Sequence, residues 1–347
     1  MVNKYISPGK PINPKYFAGR QEEVQVILSQ LYNKGHVIVK SFSGIGKSSL
    51  LNYIESKLTK KLAVYYNCAG TEVSNFWREV LKELVYVAED YPDIQSHTST
   101  ILKNKTIDNN QIKKLIKYVN NNDISLVLLL DDFGEMFQEV QTYQNEKEFQ
   151  EIDKFLRDFR TIIQSNLDFA TVLTTGKNIT DIRPKNNNTS EWFNPYIFID
   201  LKPFTLAEVY KYFLSPDNPL YIPIPEYLHT EKLLNITGTF PFMLIHARHI
   251  LSRENAPKTI EEFKYQLRLQ TSFKLRNIFN SLSEIEKEYL ASKATNTLSK
   301  NKTIHDDVVQ SLISKSILIP GKKKDFIINS SVMETVIVDW SFEVRDR

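Results

Sequence analysis

Ser41 to Ser49, reading SFSGIGKSS, follow directly on a short apolar run, His36-Val37-Ile38-Val39, that reads as a buried strand. The segment fits the pattern G-x-x-x-x-G-K-[ST] at every fixed position but the first, where Ser41 replaces glycine. In that pattern small residues let backbone N–H groups close around phosphate oxygens. A lysine then reaches the β- and γ-phosphates, and a hydroxyl joins the magnesium shell. Gly44 and Gly46 supply the bend, with Ser43 and Ile45 completing the loop. Lys47 supplies the charge, Ser48 the metal hydroxyl, and Ser49 continues into the next element. Leu50-Leu51-Asn52-Tyr53-Ile54 has helical apolar spacing, which places a helix N-terminus beneath the phosphates.

Phosphoryl chemistry of this kind needs a carboxylate at the end of a buried strand to order the magnesium ion. Leu126 to Leu130 followed by Asp131-Asp132 provides one. Asp131 is placed to hold magnesium through water, and Asp132 to polarise an attacking water. On its own an acidic strand end reads better as a solvated turn; the upstream loop turns it toward the metal. Before the first strand, Phe17-Ala18-Gly19-Arg20 leads into Gln21-Glu22-Glu23 and a helix. Gly19 permits a tight turn, Arg20 can pair with a phosphate or carboxylate, and the acids favour the positive helix start.

These residues need a scaffold, and the pattern supplies an α/β one. Strand candidates are Val37 to Lys40, Ala63 to Asn67, Leu126 to Leu130, Ala170 to Thr174 and Ile197 to Leu201. They alternate with helical patterns at Ser48 to Leu58, Val73 to Glu89, Ile112 to Asn120 and Glu148 to Asn166. Such alternation implies a mostly parallel sheet with helices on both faces. After Pro203 the pattern is helical to about residue 280. Short helices then precede Ile317-Leu318-Ile319, a Gly-Lys-Lys-Lys turn and Phe326-Ile327-Ile328, the pattern of a winged helix. The expected organisation is an extended lead-in over 1–16, a nucleotide-binding domain over 17–202, a helical, lid-like domain over 203–280 and a winged helix over 281–347. No internal repeat of 20 to 50 residues is present.

Composition excludes several classes. The chain has 347 residues, 41% of them hydrophobic, with 44 basic and 41 acidic residues and a net charge of +3. Disordered and fibrous classes do not fit, and charge alone does not indicate a nucleic-acid binder. The longest apolar stretch, Ile124 to Leu130, is far short of the roughly 18 residues of a membrane span, and the N-terminal segment lacks the apolar core of a signal peptide. The single cysteine, Cys68, reads as a core residue and suits a reducing cytosol. A cytoplasmic protein is expected.

FAGRQEE, GIGKSSLL, LVLLLDDF, TVLTTGKN, LKPFTLAEV and TGTFPFMLIHA occur in this order along the chain. Together they resemble the STAND ATPases, the signal-transduction relatives of AAA+ proteins, over about residues 10 to 345. The resemblance implies that Phe17, Gly19 and Arg20 contribute to an adenine pocket and that Thr174 and Thr175 end a strand that senses the γ-phosphate. It further implies that Pro241, in Thr237-Gly238-Thr239-Phe240-Pro241-Phe242, enters a helix against the base or ribose. Lys177 is a further phosphate candidate or a surface lysine. The chain so read is a prokaryotic ATP/ADP switch with magnesium, in a defence or regulatory setting. ADP holds it closed, exchange for ATP exposes surfaces for self-association or a protein partner, and slow hydrolysis resets it.

Other readings stay open beside this one. Arg248 lies two helical turns after Pro241, where AAA+ relatives place a sensing arginine, and Lys322-Lys323-Lys324 could meet a DNA backbone. That makes an AAA+-like DNA-handling ATPase, of the replication-initiator or transposition-regulator type, the rival. DNA is not the favoured partner, because Asp306 and Asp307 start the helix that would enter the groove. A nucleotide-binding scaffold without turnover is the third reading. Ile304-His305-Asp306 resembles the family's Met-His-Asp signature out of place and reads better as a helix entry, and Arg157 and Arg160 read as a solvated face.

Overall fold

The computed structural model describes residues 6–59, 61–142, 146–165, 167–176, 193–295, 297, 306–321 and 326–345. Lys177, the loop from Lys185 to Ser190, Ile304-His305 and Lys322-Lys323-Lys324 lie outside these residues. The chain divides into two compact units. One holds Arg20–Ser41 and Lys47–Leu201, and the other Met1–Gly19, Phe42–Gly46 and Lys202–Arg347.

The sheet unit opens with α1 (Gln21–Tyr32), β1 (His36–Lys40), α2 (Lys47–Glu55) and β2 (Lys61–Asn67). It continues with α3 (Phe76–Val87), α4 (Pro92–Leu102), α5 (Asn109–Asn120) and β3 (Ser125–Asp131), then α6 (Glu146–Ile163), β4 (Phe169–Thr175) and β5 (Tyr196–Asp200). All five strands pair in parallel, in the order β2-β3-β4-β1-β5. The strands expected from the sequence are these five, each shifted or extended by a residue or two.

Alternation along β3 assigns its two faces. Leu126, Leu128 and Leu130 join the large core formed with α3, α4, α5 and α6. Val127, Leu129 and Asp131 turn to the opposite face, where α2 packs. Because paired residues in parallel strands point the same way, Tyr65, opposite Leu129, also lies on the α2 face. In the core, Phe76 meets Tyr66, Trp77, Phe133, Phe155 and Phe159 edge-on, the preferred geometry for aromatic quadrupoles.

Two local departures from the expected pattern have identifiable causes. The helix read over Val73 to Glu89 breaks into a short 3-10 turn, Val73–Asn75, and α3. α4, to which the sequence reading assigned no element, starts on Pro92, whose fixed φ and missing N–H suit the first helical position.

The other unit carries α7 (Leu206–Phe213), α8 (Thr230–Thr237), α9 (Pro241–Leu251), α10 (Ile260–Asn280), α11 (Glu284–Ala294) and α12 (Asp306–Ser314). They are followed by β6 (Leu318–Pro320), β7 (Phe326–Ile328) and α13 (Ser331–Arg345). β6 and β7 form an antiparallel pair. α9 is buried on nearly every side, as an apolar helix at the centre of a domain must be. Thr205 and Ser283 make capping boxes with Glu208 and Glu286, fixing where α7 and α11 begin. No helix among the described residues is long and apolar enough to cross a membrane.

The turn before α9 is held by the segment after β7. Asn329 donates its side-chain amide to the Ser316 carbonyl at 2.9 Å and to Thr239 Oγ1 at 3.3 Å, and Ser330 Oγ donates to the Ile236 carbonyl at 2.6 Å. Gly238, at φ 60° and ψ −155°, sits so close that an added Cβ would fall 1.7 Å from the Asn329 carbonyl oxygen. Only glycine adopts this backbone without strain. Gly238→Ala is therefore expected to lower stability by about 1–3 kcal/mol from backbone strain alone. The midpoint of urea unfolding measures it, and an unchanged midpoint would contradict the packing described.

Candidate functional site

In the sheet unit the candidate residues gather at the carboxyl ends of the strands, where open α/β sheets place ligands. α2 begins at Lys47, so Ser48 and Ser49 occupy its first turn, where backbone N–H groups have no partner within the helix. Lys47 is buried, and its ammonium donates to the Ser41 carbonyl at 3.2 Å. Burial pulls its pKa down, and the nearby charges of Asp132, Asp131 and Glu135, in that order, oppose the shift. An ammonium facing three carboxylates under low solvent exposure is held in a site that accepts further anionic groups only with a compensating cation.

Asp131 ends β3, fully buried. Its Oδ1 accepts from Thr174 Oγ1 at 2.6 Å and its Oδ2 from the Tyr65 hydroxyl at 2.8 Å. Thr174 Oγ1 in turn accepts from the Asp132 backbone N–H at 2.8 Å. Asp132 follows in the left-handed region at φ 47°, unusual for a residue other than glycine. Burial, then repulsion by Asp131, pushes the Asp132 carboxyl up, and Lys47 offsets part of the rise.

Magnesium prefers oxygen ligands, keeps several waters, and is held by one or two carboxylates together with substrate phosphates. The Asp131 carboxylate retains lone pairs beyond the two hydrogen bonds it accepts, and the Ser48 hydroxyl belongs to the helix start that follows the loop. The donor set therefore fits magnesium held partly through water.

Ser41, at the position of the pattern's first glycine, is explained by its backbone. Its φ is not among the positive ones, its N–H donates to the Thr175 carbonyl at 3.2 Å, and its own carbonyl faces Lys47. No left-handed conformation is needed there, so a side chain carries no penalty. Thr175 is buried at the end of β4 beside this contact. Arg20 caps α1 in the left-handed region and lies 3.4 Å from Glu23, buried. Arg157 is exposed and paired with Asp153, as the solvated-face reading requires, whereas Arg160 is half-buried with its Nε out of solvent; Phe155, Leu156 and Phe159 point inward.

In the other unit, Phe17 closes a short 3-10 turn, and Gly19 packs against the Phe204 ring and the Glu208 carboxylate. Phe204 N–H donates to the Thr239 carbonyl at 3.1 Å, which ties this corner to the turn before α9. Pro241 takes the first position of α9, and the next residue, Phe242, lies over Gly44. Ser43 is exposed, Ile45 is buried, and Gly44 and Gly46 are left-handed at φ 83° and 109°. Arg248 is buried on α9, and its Nε–H meets no acceptor among the described residues.

Three participants escaped the sequence reading. Tyr65 carries no motif, and Phe242 was read only as the end of the Thr237 to Phe242 element with no role of its own; strand register and helix docking bring them to their partners. Glu135, in the turn after β3, was legible only as one more acid near Asp131; its N–H donates to the Asp132 carbonyl at 2.9 Å, and its charge reaches Lys47.

The sequence matches the family described as Novel STAND NTPase 1 over residues 10–187, just over half of the chain. No curated protein matches it. Among solved structures, a Walker-type ATPase of Pyrococcus abyssi is similar in fold, with a TM-score of 0.56 and 13% identity. The match covers 92% of this chain and 96% of that one. The ORC2 protein of Aeropyrum pernix in its ADP form gives a TM-score of 0.49 at 13% identity, covering 98% of this chain and 97% of that one. Cdc6p of Pyrobaculum aerophilum gives 0.48 at 14% identity, covering 99% of each chain.

The loop makes a stability prediction that needs no ligand. A Cβ at Gly44 would lie 3.0 Å from Phe242 Cβ and Cδ1 in addition to straining φ. Gly44→Ala should therefore lower the thermal midpoint clearly, while Ser41→Gly should change stability by about 1 kcal/mol or less and move the midpoint little. Thermal unfolding followed by circular dichroism compares the two, and equal effects would refute the account of Ser41.

Proposed function

We propose that this chain, which belongs to the Novel STAND NTPase 1 family, is an ATP- and ADP-binding switch that uses magnesium and hydrolyses ATP slowly. The observation that carries the reading is the buried Lys47 ammonium at the start of α2, facing Asp131, Asp132 and Glu135 and resting on the Ser41 carbonyl. With phosphates bound, Lys47 exchanges that carbonyl for phosphate oxygens, and the N–H groups of the loop and of the first turn of α2 close around them. Magnesium, once bound, supplies charge neutralisation of the phosphates. Ser48 and Asp131 are the residues that would hold it, Asp131 through water. Asp132, with its carboxyl pushed up and its backbone fixed by Thr174, is the group that orients and deprotonates the attacking water.

Phe17, Gly19, Arg20 and Pro241 are assigned to the base and ribose, and Thr175 to the γ-phosphate. Support for part of this comes from the contacts that join Gly19 to Phe204, Phe204 to Thr239, and Phe242 to Gly44. Phe242, at the start of α9, packs directly on Gly44 of the loop, and this contact is taken as the route by which a change in the loop reaches α9. That is the basis for a switch whose output is self-association or a protein partner. α11, α12, the β6–β7 pair and α13 are taken as a winged helix. Asp306 and Asp307 at the start of α12 disfavour a DNA backbone there, and Asn329 and Ser330 anchor the segment to the turn before α9.

Two outcomes test this. Lys47→Ala is expected to abolish binding of ATP and ADP, measured by calorimetry and by the nucleotide content of purified protein; unchanged affinity would sink the reading. Asp131→Asn should retain nucleotide binding in the absence of magnesium while phosphate release falls at least about a hundredfold, the scale of losing a transition-state contact. Full phosphate release by that variant would remove Asp131 from the site.

A further inference from the structure

Asp131 is pinned from both sides of its strand. β3 lies between β2 and β4, and each neighbour sends one hydroxyl to one carboxylate oxygen: Tyr65 to Oδ2 at 2.8 Å and Thr174 to Oδ1 at 2.6 Å. The register makes the tyrosine's length matter. Tyr65 pairs with Leu129, while Asn67 is the residue opposite Asp131. Tyr65 must therefore reach two residues along the sheet, between 6 and 7 Å at strand spacing. A phenol spans that distance; serine or threonine at position 65 would not. The ring runs along the α2 face and is half-buried, so it approaches the carboxylate from the same side as the helix that carries Lys47 and Ser48.

A carboxylate that accepts two hydrogen bonds from fixed hydroxyls loses its rotational freedom about the terminal bond, yet keeps lone pairs for water. We infer that Tyr65 is a positioning residue for magnesium: its hydroxyl fixes the Asp131 carboxylate so that the free lone pairs face the metal's waters, and it thereby sets how strongly magnesium assists nucleotide binding. This rests on the nucleotide reading above and deepens it, since it separates the metal's contribution from that of the phosphate loop. Lys47 and the loop act on phosphate whether or not metal is present, whereas Tyr65 acts only through Asp131.

The test uses the full chain and a fluorescent ATP analogue, titrated once with excess magnesium and once with EDTA. Wild type should bind in both conditions and more tightly with magnesium. Tyr65→Phe keeps the ring and removes the hydroxyl. It should leave the EDTA affinity within about twofold and raise the magnesium concentration for half-maximal enhancement about tenfold, the scale of one hydrogen bond to a charged group. Tyr65→Met, which removes the hydroxyl with different packing, should reproduce the pattern, and Thr174→Ser, which keeps a hydroxyl, should retain the wild-type magnesium dependence. An unchanged magnesium dependence in Tyr65→Phe overturns the inference, and so does an equal loss with and without the metal, the mark of a purely structural role. Wild type that binds no nucleotide in either condition would instead sink the reading on which the inference rests.

Discussion

A buried ammonium in carboxylate company governs the sheet unit. Lys47 has left water almost completely, which would be costly for an isolated charge, and Asp131, Asp132 and Glu135 compensate it. Three acids around one cation leave a surplus of negative charge. Thr174 and Tyr65 each donate to Asp131, and burial with repulsion by Asp131 pushes the Asp132 pKa up. The sheet order makes this possible, because the strands flanking β3 are the two that carry the hydroxyls. The proposed phosphate and divalent cation would enter a site whose charges are arranged in this way.

Close backbone approach organises the other unit. Gly44 accepts the Phe242 side chain and Gly238 the Asn329 backbone; an added methyl group would crowd the first and collide with the second. These contacts bracket the turn and first residues of α9, one at the phosphate loop and one at the segment after β7. The helix between them is buried on nearly all sides and has little room to move independently.

The strands were legible because each is a short run of β-branched and aliphatic residues bounded by polar turns, and burial on both sheet faces permits such runs. The loop and the acidic strand end were legible because their chemistry depends on consecutive residues. Where local and tertiary forces compete, legibility failed. Val73–Asn75 has helical composition but tightens into a 3-10 turn before Phe76, whose ring is anchored among five other aromatics. Asn329, to which the sequence reading gave no role, is the clamp on Gly238, since nothing in its neighbourhood records the distant glycine it meets.

By itself, then, the sequence determined the α/β alternation, the phosphate loop, the paired acids of Asp131-Asp132 and the likeness to STAND ATPases, all of which are written in contiguous residues or their order. Tertiary structure alone decided that Ser41 suffices where glycine was expected, that Tyr65 rather than an adjacent residue holds Asp131, and that Phe242 covers Gly44. The reason is the same in each case. Backbone dihedrals, strand register and helix docking are fixed by packing between segments far apart in the chain, and a single sequence carries the residues of such contacts without recording which pairs will meet.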